Sequence, residues 1–295
     1  MGDGLSRQAL GMLIAGAGVL ALSFDALLVR LAGVGPWEVA VWRGVFIALS
    51  LAVVAGWLGG WQRAVRAPLG PLLGASLMFG LNGLLFVLAV MHTAVANVVV
   101  ILSIAPLFAA ACTRLFLREG VAAHTWVAMV VAVIAVGTVF AGSLDGDGLL
   151  GDAFALGAAI VLGGNFTLLR RFPQVPRLPT VSLGGAVTAL LAWTSAAPWG
   201  LAAESYAVLA LMGLVQMPLA LGLLATATRY ITSPEVSLFM LVEMVLAPVW
   251  VAAWLGESPS PQTLVAGGLL LTTLAVHSVL ALRRLPHQPT PTGRT

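Results

Sequence analysis

The chain has 295 residues, of which 60% are apolar and only 8% are charged. A soluble domain carries about a quarter charged residues, so there is too little polar surface here to cover a water-soluble enzyme, a nucleic-acid binder or a disordered chain. The net charge of +3 comes entirely from Arg, since Lys is absent, and the Arg residues lie at the ends of apolar runs instead of forming the dense basic face that nucleic acid requires.

Cutting the sequence at Gly, Pro and charge clusters leaves ten apolar runs, each about long enough to cross a bilayer as a helix. They are 9–31, 37–58, 70–91, 95–115, 121–141, 150–170, 180–198, 205–228, 234–255 and 263–282. The first carries Asp25 and the second Arg43, each some six residues from one end of its run. Opposite charges at equal depth on consecutive helices predict an ion pair, either structural or part of an outer gate. The third run carries Asn82 at its centre, on one stripe with Phe79 and Phe86, and the fourth carries Ser103 and Pro106. Asn165 lies in the sixth run, Gln216 in the eighth, and Glu243 at the centre of the ninth, on a stripe with Ser237 and Met240.

Ten spans place both chain ends on one side. With the ends in the cytoplasm, Arg residues concentrate inside, while Asp145, Asp147, Asp152, Glu204 and Glu257 fall outside. That asymmetry follows the positive-inside rule. It predicts a multi-pass protein of a bacterial cytoplasmic membrane, with the lipid bilayer as its first partner. The segment 286–295 (PHQPTPTGRT) reads as a disordered cytoplasmic tail.

The sequence also repeats itself. LGMLIAGAGVLALSFDALLVRL from Leu10 aligns with LGDAFALGAAIVLGGNFTLLRR from Leu150, and the run from Pro106 to Glu119 aligns with the run from Met244 to Glu257. Each half, 1–145 and 146–285, holds five runs. Five is odd, so the second half enters the membrane inverted, as in many secondary transporters.

The stretches TAVANVVVILSIAPLFAAACTRLFLREG from Thr93 and TSPEVSLFMLVEMVLAPVWVAAWLGES from Thr232 resemble the EamA branch of the drug/metabolite transporter superfamily. Pro106 with Glu119, and Glu243 with Glu257, carry the likeness; Met244 stands where that family usually has Pro. The resemblance implies an all-α integral membrane fold of ten transmembrane helices, arranged as two inverted five-helix repeats in a basket around a central cavity. Spans 1, 3, 4, 6, 8 and 9 would line the cavity. The family's members include amino-acid exporters of the YddG type.

Polar side chains in hydrocarbon are costly unless they face a cavity or a partner. Glu243, Asn82, Gln216 and Ser103 share one depth on four helices, and they form the predicted substrate site with Phe86, Phe79, Met240, Ser237 and Asn165. Glu243 would meet a substrate ammonium, take up a proton or bond a neighbouring helix. Asn82 and Gln216 would contact substrate or bridge helices.

One acid and several amides suit a small neutral or zwitterionic solute, and amino acids fit best. Cationic drugs and other neutral metabolites are the alternatives, with an intramembrane enzyme further off. No HExxH, GxGD, clustered metal-ligand His or GxxxxGK[ST] pattern occurs. The expectation is therefore a transporter without catalytic residues, metal or cofactor, using alternating access. Proton coupling, exchange and facilitation stay open.

Overall fold

A computed structural model describes residues 2–117, 123–144, 148–231 and 233–283, with side chains described for 7–117, 125–144, 148–231, 239 and 241–276. The described residues are helical throughout, joined by short turns, and contain no strand. In chain order the helices are α1 (Gly2–Ser23), α2 (Asp25–Leu31), α3 (Pro36–Trp57), α4 (Gly60–Arg66), α5 (Leu69–His92), α6 (Val95–Leu102) and α7 (Ala105–Cys112). They continue with α8 (Ala123–Ser143), α9 (Leu149–Arg171), α10 (Arg177–Trp193), α11 (Ala203–Ala210), α12 (Met217–Ala227), α13 (Ser233–Leu255) and α14 (Pro261–Arg283). A π turn, Thr113–Leu117, follows α7, and another, Leu211–Gln216, joins α11 to α12.

Counted over the described residues, seven helical segments are long and apolar enough to cross a membrane. They are Arg7–Leu31, Pro36–Trp57, Leu69–His92, Val95–Leu117, Thr125–Ser143, Leu149–Arg171 and Ala203–Ala227. The radial distribution agrees with a membrane-embedded protein. Leu49, Val53, Leu73, Val130, Val133 and Leu264 face outward, whereas Asp25, Arg43, Asp152 and Asn165 are buried. Water would favour the reverse.

Three runs that read as single spans are interrupted. The first breaks at Phe24, between α1 and α2. The fourth breaks at Ser103 and Ile104, because Pro106 supplies no N–H and restarts the helix near its N-terminus as α7. The eighth contains the π turn that ends at Gln216, just before Pro218; Pro218 cannot donate one turn back, and the wider turn absorbs the missing bond. Pro248, by contrast, sits within an uninterrupted α13. The run 180–198 overshoots: α10 stops at Trp193, and Ser195 already bonds the Ala192 carbonyl in a tight turn. The tail 286–295, with Asp145, Asp147 and Glu119, lies outside the described residues.

Helix α3 packs on α10, α5 lies between α9 and α10, and α1 packs on α12 and α13. Helices α6 and α7 lie against α9, and α8 pairs with α14. Small residues permit the closest approaches. A Cβ on Gly11 would lie 2.6 Å from Tyr230 Cβ, and one on Gly151 would lie 2.6 Å from the Thr93 nitrogen. The helix backbones meet where those side chains are missing.

Candidate functional site

The site is built around the break in the first span. The segment Leu22–Ala26 contains neither Gly nor Pro. Its helix is opened by side chains instead. Ser23 Oγ donates to the Leu20 carbonyl at 2.8 Å, competing with the regular ladder. Gln216 Nε2, at the end of the second π turn, donates to the Ala21 carbonyl at 3.0 Å. Trp250 of α13 donates through Nε1 to Ser23 Oγ at 3.0 Å, and its ring stacks on Phe24 with centroids 4.9 Å apart. Residues from both ends of the sequence therefore hold one turn open.

Asp25 begins α2 at that opening. Arg43 Nη2 of α3 donates to Asp25 Oδ2 at 2.7 Å, and both residues are buried. The guanidinium lies over the Phe86 ring of α5, 5.6 Å from its centroid. This is a favourable arrangement for a cation removed from water. Nη1 approaches Gly83, where a Cβ would come within 3.7 Å of it. Asp25 Oδ1 and Arg43 Nε are buried without a hydrogen-bond partner. Glu243 is half-buried on α13. The break thus holds a buried carboxylate and a guanidinium.

The other predicted site residues are distributed differently. Asn82 Nδ2 donates to the Ala158 carbonyl of α9 at 3.0 Å, and Asn165 Nδ2 donates to the Ala75 carbonyl of α5 at 3.1 Å. Together they tie α5 to α9 in both directions. Ser103 Oγ, at the break after α6, donates back to the Val100 carbonyl at 2.7 Å. Phe79 packs against Gly184 of α10, where a Cβ would meet its ring at 2.7 Å. The donor groups of Asn82, Asn165, Gln216 and Ser103 are therefore committed to backbone carbonyls. Asn165 Oδ1 and Gln216 Oε1 remain buried and unpartnered. Ser237 and Met240 sit on α13, and their side chains lie outside the described residues. Apolar surface grooves lie between α3 and α10 and between α13 and α14, and neither is lined by a predicted site residue.

A second polar cluster went unread in the sequence. Asp152 of α9 is fully buried. It accepts hydrogen bonds from Thr93 Oγ1 at 2.7 Å and Asn97 Nδ2 at 3.2 Å, and Ser143 Oγ donates to its other oxygen. Thr263 Oγ1 donates to Asn97 Oδ1. Beside it, Arg30 Nη2 bonds the Thr93 carbonyl at 2.9 Å and pairs with Glu257 at 3.3 Å. Glu257 Oε1 accepts the Val95 amide that opens α6. Small hydroxyl residues at run ends gave no periodic signal. Among the described residues no group of His, Cys, Asp and Glu could hold a metal ion.

These features define an all-α membrane protein with a charged interior. No family model matches the chain, and no curated protein matches it. Its fold is similar to a solved structure described as "Crystal structure of protein", at 18% identity and a TM-score of 0.64, over 94% of this chain and 99% of that one.

Proposed function

We propose that the chain is a secondary transporter that exports small metabolites, with amino acids as the best-matched class, across a bacterial cytoplasmic membrane. In this reading it is a ten-span member of the EamA branch of the drug/metabolite transporter superfamily, with both termini cytoplasmic, and its inverted halves alternate access to a shared site. The observation that carries the reading is the convergence at the break: beside the buried Asp25–Arg43 pair of the first half, Gln216 and Trp250 of the second half bond the Ala21 carbonyl and Ser23. Buried charge beside an interrupted helix is expensive in a membrane, and such breaks are tolerated where they line a solute path.

Packing supports the two-fold relation. Exchanging the halves turns the pairing of α5 with α9 into that of α12 with α1, and maps α3 on α10 and α8 on α14 onto themselves. The close approach of Gly151 to the turn after α5 likewise becomes that of Gly11 to the turn after α12. The alignment of Leu10 with Leu150 puts Asn165 opposite Asp25.

Uptake of labelled amino acids into proteoliposomes containing the purified chain tests the proposal. The expected result is flux above protein-free vesicles, lost in Glu243→Gln. The buried, unpartnered Asp25 Oδ1 also gives a cationic-drug reading a specific basis. Flux of a permanent organic cation, with no amino-acid flux, would favour that reading.

A further inference from the structure

The Asp25–Arg43 pair is only half made. Nη2 and Nε share one edge of a guanidinium, and a carboxylate meeting that edge squarely would occupy both. Asp25 occupies Nη2 alone. Oδ1 and Nε stay buried without partners, on residues that are only 6% and 5% exposed. Phe86 covers a face of the guanidinium and Gly83 backs its Nη1. What remains is one charged acceptor and one charged donor, belonging to the same ion pair. Leaving both unpaired in a low-dielectric interior is costly, so the arrangement calls for an occupant.

The occupant must offer an anionic acceptor beside a cationic donor. It must also be neutral overall, because the pair is itself neutral and a lone cation or anion would strand a net charge. An α-amino acid carries both groups on one carbon. Phe86 and the stacked Phe24 and Trp250 supply aromatic surface nearby for its side chain. We infer that the Asp25–Arg43 edge receives the charged backbone of a zwitterionic α-amino acid, its carboxylate on Arg43 Nε and its ammonium on Asp25 Oδ1. This rests on the transporter reading above and adds to it the anchoring atoms and the requirement for both charges.

The test uses the full chain in detergent and in proteoliposomes. Free L-amino acids should raise the melting temperature, while their methyl esters and N-acetyl forms should need about tenfold higher concentration or more for the same shift. In the double variant Asp25→Asn/Arg43→Gln, which removes both charges together, flux should fall about tenfold or more. Equal protection by free and capped ligands, or wild-type flux in the double variant, overturns the inference while leaving the transporter reading intact. If no amino acid protects the protein or is carried, the amino-acid reading itself fails. Should the double variant not fold, the capped-ligand series on the wild type decides alone.

Discussion

Gly44 on α3 and Gly185 on α10 each block the other: a Cβ on Gly44 would lie 2.6 Å from the Gly185 carbonyl oxygen, and a Cβ on Gly185 would lie 2.7 Å from that of Gly44. Ala189 and Ala48, one turn further along, complete the contact on either side. Backbone touches backbone here, with no flexible side chain to yield. Gly44→Ala and Gly185→Ala should each cost about 1–3 kcal/mol through overpacking. Gly137→Ala and Gly222→Ala, at helix positions with nothing within 4 Å, should match the wild type or slightly exceed it. Melting of the four purified variants in one detergent checks the contrast, and similar losses in all four would remove this contact from the account.

The buried ion pair gives a second contrast. Arg43→Gln leaves the Asp25 carboxylate in the interior without its cation, and breaking a buried pair on one side costs about 3–5 kcal/mol. Removing the other partner as well, in Asp25→Asn/Arg43→Gln, should recover much of that loss. Folded yield and melting of the single and double variants measure the difference. A double variant as unstable as Arg43→Gln would mean that shape, not charge, holds α2 against α3.

Much of the architecture was legible because lipid imposes one rule on every span. The runs 37–58, 70–91 and 150–170 fall within a residue or so of α3, α5 and α9. The opposed charges of Asp25 and Arg43 at one depth were enough to place them together. The break at Phe24 was not legible, since it is opened by Gln216 and Trp250 from some two hundred residues away. A lone hydroxyl such as Ser23 gives no local sign of opening a helix. The amides within spans show the converse. Asn82 and Gln216 stand at a depth suited to a solute, but depth alone cannot tell a cavity from a neighbouring carbonyl, and both bond carbonyls, as does Asn165 nearer the end of its span. Asp152 stands in the sequence as one of the charges on the outer side, with no sign of the burial at the start of α9 that gives it three hydroxyl and amide donors.

The Asp152 cluster predicts a graded response. Asn97 bridges α6 to Asp152 of α9 and, through Thr263, to α14. Asn97→Ala removes a donor to a buried carboxylate and leaves the Thr263 hydroxyl only Ser260 as partner, at about 1–3 kcal/mol. Thr263→Val, which deletes a hydroxyl that does not touch the Asp152 carboxylate, should cost less. Thermal melting of both variants tests the order, and a Thr263→Val loss equal to that of Asn97→Ala would show that the cluster does not act through Asn97.

Glu257 holds two partners, and they can be separated. Its ion pair with Arg30 is partly open to solvent, with side chains 28% and 24% exposed, so it should contribute about 1 kcal/mol or less and weaken with salt. Its bond from the Val95 amide satisfies an unpaired donor at the first turn of α6, a cap whose loss costs about 0.5–2 kcal/mol. Glu257→Gln keeps an oxygen for Val95 and loses the charge. Its deficit in melting should be small and should shrink as salt is added. Glu257→Ala loses both partners, and its larger deficit should persist at high salt. If the two variants fall together at every salt concentration, the carboxylate acts on α6 through its charge alone and the capping role fails.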